Sequence, residues 1–214
     1  MFIFVFPSEG CAIALASTLT SDGTSTPGGG FITIVISHAF SLFVAISMSA
    51  NISGGHVNLA IMFGAFLGGH IFLYKSILYW TAQFLGSVTA LFLLKVATGG
   101  LVRNATPMSI LFASNSCDME CIAPISIGFV VAANNLGGGL LYGAAINPAM
   151  AFGQAVDSWK WNSHWIYWLG PFVGAAIAAL VYETIFIDCQ NAHEQVPAKR
   201  VEKEYLKEYL IQVE

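Results

Sequence analysis

Apolar runs of membrane-spanning length alternate with short polar or glycine-rich segments along most of this chain. Four of the runs hold 20 or more residues, which is the length that an α-helix needs to cross a bilayer core of about 30 Å. They cover residues 31–50, 77–97, 122–142 and 164–187. The pattern therefore predicts an all-α bundle of membrane-spanning helices.

The first 19 residues are also apolar, but Pro7 and Glu9 interrupt them. Two interpretations fit such a run: a secretory signal sequence, or a membrane helix of which only the later part is present. A signal sequence carries basic residues ahead of its apolar core, and none precede this one, so we favour the truncated membrane helix. A turn over residues 21–30 is expected to close the first hairpin.

Two shorter segments repeat one another. The segments that begin at Asn58 and Asn147 share asparagine, alanine, phenylalanine and glycine at identical offsets. The apolar stretches around them, about residues 57–67 and 147–156, are too short to cross a bilayer and predict re-entrant half-helices. Asn58 and Asn147 would be the N-caps, and Pro148 suits the first helical position. Irregular backbone at membrane depth needs protein or a water-filled cavity around it, so we expect a cavity where the two segments meet.

Composition agrees with a membrane protein. Of 214 residues, 56% are hydrophobic and 9% charged, against about 25% charged in ordinary soluble domains, and the mean hydropathy is +0.70. Charged side chains concentrate at the end of the chain, which predicts a transmembrane domain over residues 1–187 and a charged tail over 188–214. Basic residues in the tail predict that it lies in the cytosol. Outside the tail there is no cationic stripe of the kind that nucleic-acid binding requires.

Candidate chemistry is sparse. The four cysteines are scattered, and the one close pair, Cys117 and Cys121, has neither a second pair nor nearby histidines to complete a metal site. The membrane region contains no paired carboxylates, nucleophile motif or metal-ligand spacing. We therefore expect no cofactor, no metal and no enzymatic activity.

Four short segments carry a resemblance to a known family. They begin at Ser53 (SGGHVN), Ile77 (ILYW), Ile122 (IAPI) and His164 (HWIYW). With the repeated motif, they resemble aquaporins of the major intrinsic protein family, and most closely the plant tonoplast intrinsic proteins. The resemblance implies a passive channel for water and small neutral solutes such as glycerol, urea or peroxide in the vacuolar membrane. Its partners would be the lipid bilayer and other aquaporin subunits in a homo- or hetero-tetramer.

The resemblance also implies roles for individual residues. In this family two half-helices enter from opposite faces, and their asparagines donate hydrogen bonds to passing water. The corresponding pore-motif residues are Asn58, Leu59, Ala60, Asn147, Pro148 and Ala149. The narrow selectivity filter of the family corresponds to His38, Asn135, Ala144 and Met150, and no arginine lines it. An inert buried histidine is the alternative interpretation of His38.

Three departures from the family pattern affect this prediction. Leu59 and Gln154 stand where proline is usual, which removes some rigidity from each half-helix. The first helix lacks its front half, and with it the buried glutamate that braces a half-helix in the family. A full fourth helix, which carries the second brace, is missing between residues 97 and 122, where the one apolar piece covers 107–113. We therefore expect an aquaporin-like bundle with two re-entrant half-helices and about five transmembrane segments, one of them truncated, instead of six.

The missing helix bears directly on function. With two spans between the motifs, both motif loops are expected on the same face, where the half-helices cannot meet and no pore forms. The alternative is that residues 99–121 cross the membrane in extended form, which their length allows at about 3.3 Å per residue. Two functions therefore stay open: a passive channel, and a non-conducting truncated homologue that is unstable or acts only within hetero-oligomers.

Overall fold

A computed structural model describes residues 1–22, 27–100, 123–142 and 146–187. Within them the chain forms seven α-helices, followed by a π-helix (Tyr182–Ile187). The α-helices are α1 (Phe2–Asp22), α2 (Pro27–Ser53), α3 (Leu59–Leu67), α4 (Leu73–Ala97), α5 (Ala123–Tyr142), α6 (Pro148–Ser158) and α7 (Ile166–Val181). Five are long, and α3 and α6 are the two short ones, which confirms the predicted all-α bundle with two half-helices.

Long helices form where the apolar runs predicted them. Residues 30–53, 73–97 and 166–185 are long and apolar enough to cross a membrane. In α1, Pro7 lies inside the helix, and the part of α1 whose side chains are described is an apolar stretch, Phe2–Leu15, shorter than a full span. Helix α1 continues to residue 22 and α2 already begins at Pro27, so both helices extend into the segment where a turn was expected, and residues 23–26 lie outside the described residues. Proline fits the first turn of a helix, where its missing N–H has no intrahelical partner to lose.

The helices pack around α3 and α6. Helix α1 lies against α2 and α4, α5 packs chiefly on α2, α6 packs on α4, and α3 packs on α7 and α4. The main core joins α1, α2, α4 and α6 through Val5, Leu42, Leu91 and Met150. Large apolar side chains also cover the outside of the long helices, as expected of a surface in contact with lipid: Phe40, Phe92, Phe129 and Leu180.

The ends of α4 and α6 lie together. Lys95, in the last turn of α4, has its Nζ atom 3.3 Å from Oδ1 of Asp157, in the last turn of α6, and donates to the Asp157 carbonyl oxygen at 3.0 Å. At the opposite end of α4, the Tyr79 hydroxyl donates to the carbonyl oxygen of Ser53, the last residue of α2. The C-terminal ends of α4 and α6 therefore share one end of the bundle, and α2 ends at the other.

Helix α5 runs antiparallel to α2. Gly128 lies against the backbone of Ala39, and Gly139, further along α5, lies against Phe31, near the beginning of α2. Consequently α5 begins at the end of the bundle where α2 ends, opposite to the end that α4 reaches. The expectation that both motif loops lie on one face was therefore wrong. Among the described residues, α4 ends at one end of the bundle and α5 begins at the other. Their connection, residues 101–122, lies outside the described residues.

Candidate pore where two half-helices meet

Both half-helices begin at an asparagine that caps them. The side-chain oxygen of Asn58 accepts from the Ala60 backbone N–H at 2.8 Å, and that of Asn147 accepts from the Ala149 N–H at 3.1 Å. Each asparagine has an extended backbone, and each cap satisfies an N–H group that the first helical turn leaves without a partner. The N-caps predicted from the repeated motif are thus present in both copies.

The two motifs also bond to one another. The Asn58 side-chain amide donates to the Ile146 carbonyl oxygen at 3.2 Å, and the Asn147 amide donates to the Val57 carbonyl oxygen at 2.7 Å. The N-terminal ends of α3 and α6 therefore meet inside the bundle. A primary amide has two N–H groups, so each asparagine keeps a second donor after this bond. For Asn147, Nδ2 also lies 3.9 Å from Sδ of Met1, a weak acceptor.

Leu59 adds a contact that proline could not make. Its backbone N–H donates to Oδ1 of Asn147 at 3.4 Å, across the interface between the half-helices. Pro148, at the corresponding position of α6, has no N–H to return this bond. Leucine in place of the usual proline at position 59 therefore makes the start of α3 less rigid but adds a hydrogen bond between the motifs.

Helix α4 holds the loop that leads into α3. The Gln83 side-chain amide donates to the His56 carbonyl oxygen at 2.8 Å, and the Tyr79 hydroxyl donates to Ser53 at 3.1 Å. Gln83 is buried, and neither residue was identified from the sequence as part of the site. A signal for Gln83 was present, since a lone amide side chain in an otherwise apolar span usually faces the bundle interior.

A cavity of about 530 Å³ passes the point where the motifs meet. Its lining includes both motif asparagines together with His38, Asn135 and Met150. Three of the four filter residues implied by the resemblance therefore share one cavity, and the fourth, Ala144, lies outside the described residues. His38 of α2, Asn135 of α5 and Met150 of α6 are each buried.

Two helix dipoles and a few ionisable side chains determine the electrostatic potential in the cavity. The N-terminal ends of two helices meet in it, and each carries about half a positive elementary charge from the helix dipole. Among the described residues, the ionisable side chains that line it are Glu183, Tyr182 and three histidines: His38, His56 and His70. Glu183 lies near one mouth, where its Oε1 atom is 2.7 Å from Nε2 of His70 and links the end of α3 to the π-helix. The centre is therefore positive in potential and lined by amide donors.

One side of the cavity is bordered by two helices that are not packed on each other. Ala123 and Ile127 of α5 line it, as do Ala175 and Ala178 of α7, while the main neighbour of α5 is α2. Among the described residues, α5 and α7 are not main packing partners, so this border of the cavity lies between two separate helices.

Comparison with known proteins agrees with this geometry. The model of the family described as Major intrinsic protein matches residues 1–117 and 107–182. Aquaporin TIP1-2 of Musa acuminata is 50% identical over 220 positions, covering 91% of this chain and 86% of the relative. Aquaporin TIP1-1 of Arabidopsis thaliana is 47% identical over 91% of this chain and 86% of its own length. Both alignments are longer than the 214 residues of this chain, so the relatives hold positions that it lacks.

A solved structure extends the agreement to the fold. The aquaglyceroporin from Plasmodium falciparum superposes with a TM-score of 0.71 at 17% identity, covering 89% of this chain and 94% of that chain. The TIP-type relatives and the membrane-spanning helices confirm the expected multi-pass membrane protein of the tonoplast intrinsic type. The chain therefore belongs to the major intrinsic protein family and is an aquaporin of the TIP-like group.

Proposed function

We propose that this chain is a passive channel that conducts water and small neutral solutes across the vacuolar membrane. The observation that carries the proposal is the reciprocal pair of hydrogen bonds between the motifs, from Asn58 to Ile146 and from Asn147 to Val57. These bonds bring two helix N-termini and two amide donors into one cavity. Transport of this kind follows a gradient and needs no catalytic group or cofactor.

Water is oriented at the centre of such a cavity. The second N–H of Asn58 donates to the oxygen of a passing water molecule, and the positive ends of α3 and α6 turn the hydrogens of that molecule outward. A cation entering the same point meets two positive helix ends in a low-dielectric wall and is repelled. Neutral molecules are the class that this arrangement admits.

The filter decides which neutral molecules pass. His38, Asn135 and Met150 surround the cavity, with Ala144 as the fourth member implied by the resemblance. Because none of these residues is arginine, the filter lacks a fixed cation and depends on size and on amide and imidazole hydrogen bonding. Glycerol, urea and peroxide are accordingly the candidate solutes alongside water.

A second candidate function has one observation in its favour. The cavity is bordered by α5 and α7, which are not packed on each other in the described residues. A chain with this border unsupported would be a non-conducting homologue, unstable or active only when it joins other aquaporins in a hetero-oligomer. In either case the apolar outer surface fits a homo- or hetero-tetramer in the bilayer.

Osmotic swelling of proteoliposomes separates the two candidates. Purified chain reconstituted alone should raise water permeability above that of empty vesicles, and Asn147→Asp should lower it sharply by placing a desolvated charge at the constriction. The matched control is Asn162→Asp, the same change at an exposed position after α6, which should leave permeability unchanged. A folded chain that never exceeds empty vesicles would favour the non-conducting homologue.

A further inference from the structure

Helix α1 carries a carboxyl group that has no role in the pore described above. Glu9 is fully buried, and its Oε1 atom lies 3.4 Å from Nε2 of His38. We propose that Glu9 is a positioning residue of the selectivity filter, which shares one proton with His38 and holds the imidazole ring in place as a wall of the pore. This inference rests on the proposed channel function.

The hydrogen-bond geometry fixes how many protons the pair holds. Nδ1 of His38 lies 3.0 Å from the Ile34 carbonyl oxygen, which can only accept, so Nδ1 carries a hydrogen. Nε2 of a neutral ring is then bare, and it would repel a bare carboxylate. One proton between Nε2 and Oε1 resolves the conflict, either as a carboxylic acid facing imidazole or as a carboxylate facing imidazolium. In both forms the pair is neutral overall.

Burial favours this shared proton. A charged carboxylate is costly to desolvate inside a membrane bundle. Sharing a proton with His38 removes that net charge, so the carboxyl group and the ring stabilise each other.

Glu9 acts on the pore through the ring. His38 lines the cavity, whereas Glu9 is not among the lining residues. The ring is held on three sides, by the Ile34 carbonyl oxygen, by Glu9 and by the edge of Phe4, whose ring centroid is 6.3 Å away at an interplanar angle of 84°. The bond from the Ser37 hydroxyl to the Pro7 carbonyl oxygen ties α2 to α1 at the same level. Removing Glu9 would leave the ring held by the Ile34 carbonyl oxygen and Phe4 alone, without a contact that fixes Nε2.

Few other ionisable side chains lie on the helices around this pair. Helix α2 has no other ionisable side chain, and residues 123–139 of α5 have none. The other titratable groups on the neighbouring helices are the Met1 amino group, Cys11 and Asp22 on α1, Tyr74, Lys75, Tyr79 and Lys95 on α4, and Asp157 on α6. Lys95 and Asp157 already pair with each other. Loss of the shared proton at high pH would leave one negative charge beside the pore.

The test compares Glu9→Gln and Glu9→Leu in proteoliposomes by the ratio of glycerol to water permeability and by its dependence on pH. The amide of the Glu9→Gln variant can still donate to Nε2, so this variant should keep the wild-type ratio near neutral pH. It should lack the change in ratio at alkaline pH that we expect of the wild type. The Glu9→Leu variant should alter the ratio several-fold, while Ser8→Ala, a buried neighbour on α1, should not. If both Glu9 variants match the wild type in ratio and in pH profile, the proposal is overturned.

A second readout does not depend on conduction. Nitrogen NMR of the labelled His38 ring reports its tautomer and its titration in any folded sample. A titration that moves in Glu9→Gln supports the shared proton, and one that does not move overturns it. If the wild type fails to conduct but this titration moves, the channel function is rejected and the Glu9–His38 pair stands.

Discussion

The side-chain amide of Asn147 donates to the carbonyl oxygen of Val57 at 2.7 Å, which joins the start of one half-helix to the loop that leads into the other. Asn147, late in the chain, thus provides the hydrogen-bond donor for a buried backbone carbonyl group far earlier in the sequence. Because each motif completes the hydrogen bonding of the other, neither half of the bundle holds a finished pore alone. The predictions below test the contacts that maintain this meeting point.

The buried side chain of Leu59 should contribute more to the free energy of unfolding than its backbone hydrogen bond to Asn147 does. The side chain is fully buried, so Leu59→Ala should reduce the free energy of unfolding by about 2–5 kcal/mol. Leu59→Pro loses less bulk than Leu59→Ala, and the loss of the N–H bond to Asn147, worth about 1 kcal/mol, is offset by a more rigid unfolded chain. Thermal unfolding in detergent should therefore place the midpoint of Leu59→Pro between those of Leu59→Ala and the wild type. A Leu59→Pro variant as stable as the wild type would contradict this reasoning.

Gln83 should be required for the shape of the loop before α3. Gln83→Leu leaves the partly buried His56 carbonyl oxygen without its partner, at a cost of about 1 kcal/mol, and should also lower osmotic permeability. The control is Ser87→Ala on the same helix, because the buried Ser87 hydroxyl has no hydrogen-bond partner among the described residues. Equal effects of the two substitutions on stability and swelling would mean that Gln83 only fills space.

The pair between Lys95 and Asp157 should make a small contribution. Lys95 is 40% exposed, so solvent screens the attraction, and Lys95→Met should cost about 0.5–1 kcal/mol, including the lost bond to the end of α6. Unfolding in detergent at low and high salt measures this contribution, which should shrink as salt rises. Lys75→Met, near the start of α4, serves as the control. A loss that is independent of salt would indicate packing by the lysine stem.

Acidic pH should destabilise the segment that precedes α7, because it protonates His164. Burial lowers the pKa of His164 below its ordinary value, and its Nε2 atom has no hydrogen-bond partner among the described residues. The folded state therefore prefers the neutral ring, so stability is lost as pH falls through the ordinary imidazole pKa towards the lowered one. Fluorescence of the neighbouring Trp161 and Trp168 should change over that interval. The change should vanish in His164→Phe, and its persistence there would assign it to another group.

The sequence was sufficient for local features of the fold. Apolar length located the long helices, and the asparagines before two short runs located the half-helices, because capping and span length depend on neighbouring residues alone. The relative positions of the filter residues came from the family resemblance, and their roles stay predictions.

Features that depend on which helices face each other were not predictable. Glu9 was noted only as an interruption of an apolar run, since nothing in the pattern says that it faces His38. Gln83 was missed for the same reason. The expected placement of both motif loops on one face was wrong because a count of apolar spans assumed that α4 ends where α5 begins, whereas these two helix ends lie at opposite ends of the bundle.

The central claim is that α3 and α6 enter from opposite faces and meet, and side-specific labelling tests it most directly. In a variant without native cysteines, single cysteines would replace Asn51, exposed at the end of α2 that leads into α3, and Asn162, exposed after α6. An impermeant maleimide should reach these two positions from opposite sides of sealed vesicles. Labelling of both from the same side would contradict the meeting of the half-helices and, with it, the pore.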